Sequence, residues 1–158
     1  MLTLESPAFG HGGAIPAKYT GDGANLSPPL RWNGVPAGAK SLVLIVDDPD
    51  APDPAAPKRV WVHLVVYNLP PTPAELPPGA SGKKLPAGSR EGVNDSGHSG
   101  YDGPSPPKGR HRYFHKLYAL DTALPDLGAR PRKIDLERAM AGHLLGQTEL
   151  IGTYGRKG

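Results

Sequence analysis

The chain has 158 residues, a formal net charge of +3 and no cysteine, with 21 glycines and 20 prolines. That length is expected to form one domain over 1–158 with a substantial core. Zero cysteine rules out a disulfide framework and a thiolate metal site. No arginine and lysine run is interleaved with aromatics, which argues against a nucleic-acid partner. Charge is uneven along the chain: five basic and seven acidic groups precede residue 80, and thirteen basic and eight acidic follow. The second half is therefore the one suited to anions. Glycine and proline approach low-complexity levels, but the apolar runs at 41–46, 60–69 and 116–120 and the small net charge point to ordered loops between strands. No run reaches membrane-spanning length. The start, Met1-Leu-Thr-Leu-Glu-Ser-Pro, lacks a basic segment leading into an apolar one, so the expected compartment is the cytoplasm.

In chain order, residues 1–29 are dense in turn formers and read as an extended arm with one or two short strands. Gly34-Val-Pro-Ala-Gly38 is a turn. It feeds Ser41-Leu-Val-Leu-Ile-Val46, a continuous apolar run of the kind that forms a strand covered on both faces. That strand runs into Asp47, Asp48 and Asp50, where Pro49 and Pro52 are expected to end it. Carboxylates at the rim of a core strand need partners. A proline-stiffened loop over 53–59 returns the chain to Val60-Trp-Val-His-Leu-Val-Val-Tyr-Asn-Leu69. Period-two alternation places Trp61, His63, Val65 and Tyr67 on one face and Val62, Leu64 and Val66 on the other.

Residues 70–110 form a long loop region, and such length inside a compact domain usually marks function or disorder. Its second part, 92–109, mixes glycines free to take positive φ with prolines that fix φ, which gives a loop of defined shape. It leads into Arg110–Leu120, a strand with His111, Tyr113 and His115 on one face and Arg112, Phe114 and Lys116 on the other. Lys133–Glu149, with Leu136, Met140 and Leu144 in register, predicts an amphipathic helix opened by Asp135. Tyr154-Gly155 reads as a short tail. If the strand ends converge, Asp48, His63, His111 and Tyr113 make a small polar pocket whose donors suit a phosphate, sulfate or carboxylate.

Several motifs then occur together: Gly23-Ala-Asn25-Leu-Ser-Pro-Pro-Leu30-Arg-Trp32, Asp48-Pro-Asp-Ala-Pro52, Trp61-Val-His63-Leu-Val-Val-Tyr-Asn68, and Gly92-Val-Asn94-Asp. They are followed by Gly100-Tyr101-Asp-Gly103-Pro-Ser-Pro-Pro107-Lys-Gly109, and by His111-Arg-Tyr113 with Tyr118-Ala-Leu-Asp121. In this order, over nearly all of 15–156, the chain resembles the phosphatidylethanolamine-binding protein family in its bacterial Raf-kinase-inhibitor-like branch. The resemblance implies a mainly β, sandwich-like fold: a large central antiparallel sheet, a smaller sheet, and peripheral helices including one near the C-terminus. It implies an anion pocket lined by Asp48, Trp61, His63, Pro107, His111 and Tyr113, with backbone N–H near Ser105, and a cis bond between Asp48 and Pro49. Only Arg110 separates Gly109 from His111, a shorter connection than in many relatives.

The function expected from this is a non-enzymatic binding protein for phosphate, a phosphorylated head group or a similar small anion. It would need no cofactor and would regulate or inhibit a kinase or protease partner, as relatives do. Two alternatives stand beside it. One is a metal-dependent hydrolase using Asp48, His63 and His111. The other is a structural homodimer with a vestigial pocket. In the leading reading a protonated imidazole meets the anion, so affinity is expected to fall as pH rises.

Overall fold

The structure is a computed structural model, described here for residues 1–155. Its strands are β1 (Thr3–Glu5), β2 (Leu30–Asn33), β3 (Ser41–Ala51), β4 (Arg59–Leu69), β5 (Glu75–Leu76), β6 (Arg90–Glu91), β7 (Arg110–Leu120) and β8 (Leu144–Gly155). One helix, α1 (Lys133–Met140), lies between β7 and β8, and a single 3-10 turn spans Ala17–Tyr19. The strands form a three-stranded sheet in the order β1-β2-β5 and a five-stranded sheet in the order β6-β4-β3-β7-β8, with all pairings antiparallel. This is the expected mainly β architecture.

β3 is central and covered on both faces, which is why its apolar run does not alternate with polar residues. Leu42, Leu44 and Val46 pack toward the small sheet, against a cluster that includes Leu4, Leu30, Trp32 and Leu76. Val43 and Ile45 point the other way, to Leu136 and Met140 of α1. The layers are therefore small sheet, large sheet and helix. Truncating a fully buried leucine such as Leu44 in such a core costs about 2–5 kcal/mol.

Four sequence expectations are corrected. The β3 strand does not end at the acids: it continues to Ala51, with register shifts against β4 that leave Pro49 without a ladder partner. A proline is tolerated where a bulge leaves its missing N–H unneeded. Another register shift, between Val46 and Asp47, reverses the faces of β4 beyond His63. Leu64 and Val66 join the cluster on the side of His63 and Tyr113, whereas Val65 and Tyr67 join Val62 on the helix side. A bulge does this because it places two consecutive residues opposite one and so breaks the period of two. The faces of β7 are as expected: His111, Tyr113 and His115 are buried together.

The third correction concerns the C-terminal segment. The helix stops at Met140, Gly142 takes φ +83°, and Leu144–Gly155 pairs with β7 along its whole length. The apolar spacing of Leu136, Met140 and Leu144 suits a longer helix, but Leu144 is half exposed and the ladder to β7 outweighs that local pattern. Asp135 is the third residue of the helix, and its carboxylate accepts the N–H of Arg132 at 2.8 Å, as a capping-box acid does. Fourth, the cis peptide bonds are Ala51–Pro52 and Thr72–Pro73; Asp48–Pro49 is not cis. None of the described helices is long and apolar enough to cross a membrane.

Candidate functional site

A cavity of ≈ 470 Å³ opens where the end of β3, the starts of β4 and β7 and the loop at 96–107 meet. β3 contributes Asp48, β4 contributes Trp61 and His63, and β7 contributes His111 and Tyr113. The loop contributes Ser105 and Pro107. Every residue expected at the site thus lies on one cavity, although Asp48 and His111 are 63 positions apart. Antiparallel pairing explains the convergence: β3 pairs with both β4 and β7, so the end of β3 lies beside the starts of its two neighbours.

The loop is held from the N-terminal arm. Asn25, at φ +59°, accepts the N–H of Gly103 at 2.7 Å and donates to the Asp102 carboxylate at 3.2 Å. Tyr101 donates its hydroxyl to the carbonyl of Tyr19 at 2.6 Å. Gly103 is glycine because a Cβ there would stand 2.7 Å from both the Asn25 side-chain oxygen and the Tyr19 carbonyl. Within the loop, the Asn94 side chain donates to the carbonyl of Gly100 and accepts N–H groups from Ser96 and His98. The Asn25, Asn94 and Gly100–Gly103 motifs are therefore one device. They fix the loop against β4, where the Asp102 N–H donates to the His63 carbonyl at 3.1 Å.

His111 is 1% exposed and engages both ring nitrogens. Its Nε2 lies 2.8 Å from the carbonyl of Lys108, and a carbonyl can only accept, so Nε2 carries a proton. Its Nδ1 lies 2.5 Å from Asp48 Oδ2, and one proton bridges them. Asp48 Oδ1 in turn accepts the Asp50 N–H at 2.7 Å. Asp48 thereby sets the ring's orientation, and no nitrogen of His111 is left over.

His63 is different. Its Nδ1 lies 2.6 Å from the carbonyl of Asp102, so Nδ1 is the protonated nitrogen, while Nε2 is buried with no partner. Burial holds its imidazole below the ordinary histidine range, opposed by the Asp102 carbonyl and the charge of Asp48. At neutral pH the free ring is uncharged, and the atom it leaves bare is a lone pair. Tyr113 packs edge-on to His63 at 5.2 Å between ring centroids. Burial, reinforced by Asp48, pushes its phenol well above the ordinary tyrosine range, so Tyr113 stays a neutral donor.

The cavity wall includes residues the sequence reading missed. Arg59 lies at the mouth with its guanidinium 5.7 Å from the centre of the Trp61 ring, in cation–π contact. Its signal was available: Arg59, Trp61 and His63 fall two apart on one strand. Asp102 also lines the cavity, and its place inside the Gly100–Gly103 motif was the clue. Among the described residues no group of three or more histidine, cysteine, aspartate or glutamate side chains is arranged to hold a metal ion. Asp48 and His111 spend their facing atoms on each other, so the hydrolase alternative gains no support.

Comparison with known proteins agrees with this architecture. The profile described as "Phosphatidylethanolamine-binding protein" matches residues 5–155. A "UPF0098 protein" of Methanothermobacter thermautotrophicus is 52% identical over 156 residues, 98% of this chain and 99% of that one. The crystal structure of a phosphatidylethanolamine-binding protein homologue of Chlamydia trachomatis superposes with a TM-score of 0.90 at 42% identity, covering 99% of this chain and 98% of that one. Escherichia coli YbcL, a member of the mammalian family, gives 0.88 at 32% identity with 99% of each chain covered. A full-length profile match, close relatives and two solved structures sharing the fold place the chain in the phosphatidylethanolamine-binding protein family, a family of binding proteins.

Proposed function

We propose that this protein binds a small oxyanion, phosphate or a phosphorylated head group, in the Asp48–His63–His111–Tyr113 cavity without catalysing a reaction on it. The observation that carries the reading is the buried, unpartnered Nε2 of His63 beside the cavity. A buried polar atom without a partner is costly, and a ligand that pairs with it recovers that cost. Tyr113 supplies a neutral hydroxyl, and Arg59 adds positive charge at the mouth. His111 acts through its pair with Asp48, which braces the cavity floor. In this role the anion and one proton bind together, because a bare lone pair facing an oxyanion repels it.

Calorimetric titration with O-phosphoethanolamine from pH 5.5 to 8 tests this. Affinity is expected to fall as pH rises, approaching tenfold per unit above about pH 6, where phosphomonoesters lose their second proton. The His63→Ala and His111→Ala proteins are expected to bind weakly throughout. No binding by the wild-type protein at any pH contradicts the proposal.

A further inference from the structure

Which oxyanion the cavity takes follows from the proton inventory around His63, an inference that rests on the anion-binding reading above. We infer that the site selects phosphate monoesters over phosphodiesters and sulfate, because His63 Nε2 presents an acceptor and only the monoester carries an ionisable hydroxyl to donate to it.

The geometry fixes the donor count. The Asp102 carbonyl cannot give His63 Nδ1 a proton, so Nδ1–H donates and the neutral ring has only a lone pair at Nε2. His111 cannot supply the missing donor, since Asp48 and the Lys108 carbonyl occupy both its nitrogens. The charged and titratable groups around His63 are Arg59 from its own strand, Asp48 and Asp47 from β3, His111, Tyr113 and His115 from β7, and Asp102 from the loop. The three carboxylates favour a proton on His63, whereas burial disfavours it and dominates. A phosphate monoester near pH 6 is divided between dianion and monoanion, and the monoanion's P–OH can donate to Nε2. A phosphodiester and sulfate have no such hydrogen at these pH values. They enter only if His63 first takes a proton from water against the effect of its burial. A site built around one hydrogen bond rejects the analogue that cannot make it far more strongly than an apolar pocket rejects a misfit.

The test compares O-phosphoethanolamine, glycerophosphoethanolamine and sulfate on the wild-type protein by calorimetry in two buffers of different ionisation enthalpy, which counts protons taken up. At pH 5.5 the monoester is expected to bind at least about fivefold more tightly than either other ligand, the effect of one unsatisfied buried acceptor. A smaller ratio overturns the inference. At pH 5.5 about three quarters of the monoester already carries its proton, so its binding takes up only a small fraction of one. Any binding of sulfate should take up a larger fraction, because the buried His63 must first gain a proton. Sulfate binding with no proton uptake means that His63 is charged beforehand, and also overturns it.

In His63→Gln the side-chain amide can turn an N–H to any oxyanion, and the ratio is expected to collapse toward one. A preserved ratio in a folded His63→Gln protein removes His63 as the discriminating residue. If that variant does not fold, the wild-type affinities and proton counts still decide. Binding of all three ligands at equal strength defeats the selectivity and leaves the anion site standing. Binding of none defeats both.

Discussion

Asp47 and Asp48 are consecutive, almost fully buried carboxylates, yet they serve opposite sides of the same sheet and are completed differently. Asp47 Oδ2 is 2.9 Å from the ammonium of Lys116 on β7 and 2.9 Å from that of Lys133 on α1. Its cluster is closed, tying the helix to the sheet. Asp48 pairs with His111 on the cavity side, and beside that pair stands His63 with one atom unused. Burial and charge alone did not distinguish the two acids. What separates a structural ion cluster from a candidate binding site here is whether the polar inventory is exhausted by the protein itself.

The closed cluster can be broken without touching the open one. In the double variant Lys116→Met, Lys133→Met, Asp47 is left buried and uncompensated, and stability measured by urea unfolding at pH 7 is expected to drop by about 3–5 kcal/mol. Phosphoethanolamine affinity of the folded fraction should change by less than about twofold. A large loss of affinity would mean that the two sides of β3 are coupled.

A second buried histidine sharpens the contrast. His115 donates from Nδ1 to the carbonyls of Tyr113 and Leu150 and stacks at a tilt on Phe9; burial pushes its imidazole down to about 4. Its folded value lies below its unfolded value of about 6.5, so the unfolded chain binds the extra proton. Stability is therefore present above pH 6.5 and is lost as pH falls toward 4, by about 3 kcal/mol for this group. His63, also depressed, adds a loss of the same sign. Urea midpoints measured between pH 7 and 4.5 should decline, and His115→Gln should flatten that decline.

On the open side, His63→Ala is expected to weaken phosphoethanolamine binding by at least about tenfold while costing about 1–3 kcal/mol of stability, for the lost Nδ1–H bond and the Asp102 carbonyl it leaves unpaired. The smallest effect belongs to the mouth. Arg59→Ala should lower affinity about two- to threefold at low salt, and the difference should fade at high ionic strength because the guanidinium is exposed.

Much of this site was legible from residue patterns because its signals are local. The unbroken apolar run of β3 foretold a strand covered on both faces, and the alternation in β7 put His111, Tyr113 and His115 together. Where the reading failed, the deciding term was non-local. The bulge that turns Leu64 to the His63 side is a property of β4 paired with β3. Leu144 continues a helical spacing until the ladder to β7 claims it. Nor could a sequence show that both nitrogens of His111 are spent and one of His63 is free, because that depends on two carbonyl groups, Lys108 and Asp102, placed by loop conformation.

Anion binding of this kind requires that the free protein hold His63 neutral, with Nδ1 protonated and Nε2 bare. Nitrogen-15 and proton correlation spectra of the histidine rings at pH 7 observe this directly. The His63 ring is expected to show one protonated nitrogen, assigned to Nδ1, and its Nε2 resonance to shift when O-phosphoethanolamine is added. A ring protonated at both nitrogens, or carrying its single proton on Nε2 in the free protein, rules out a bare Nε2 as the feature that receives the ligand's proton.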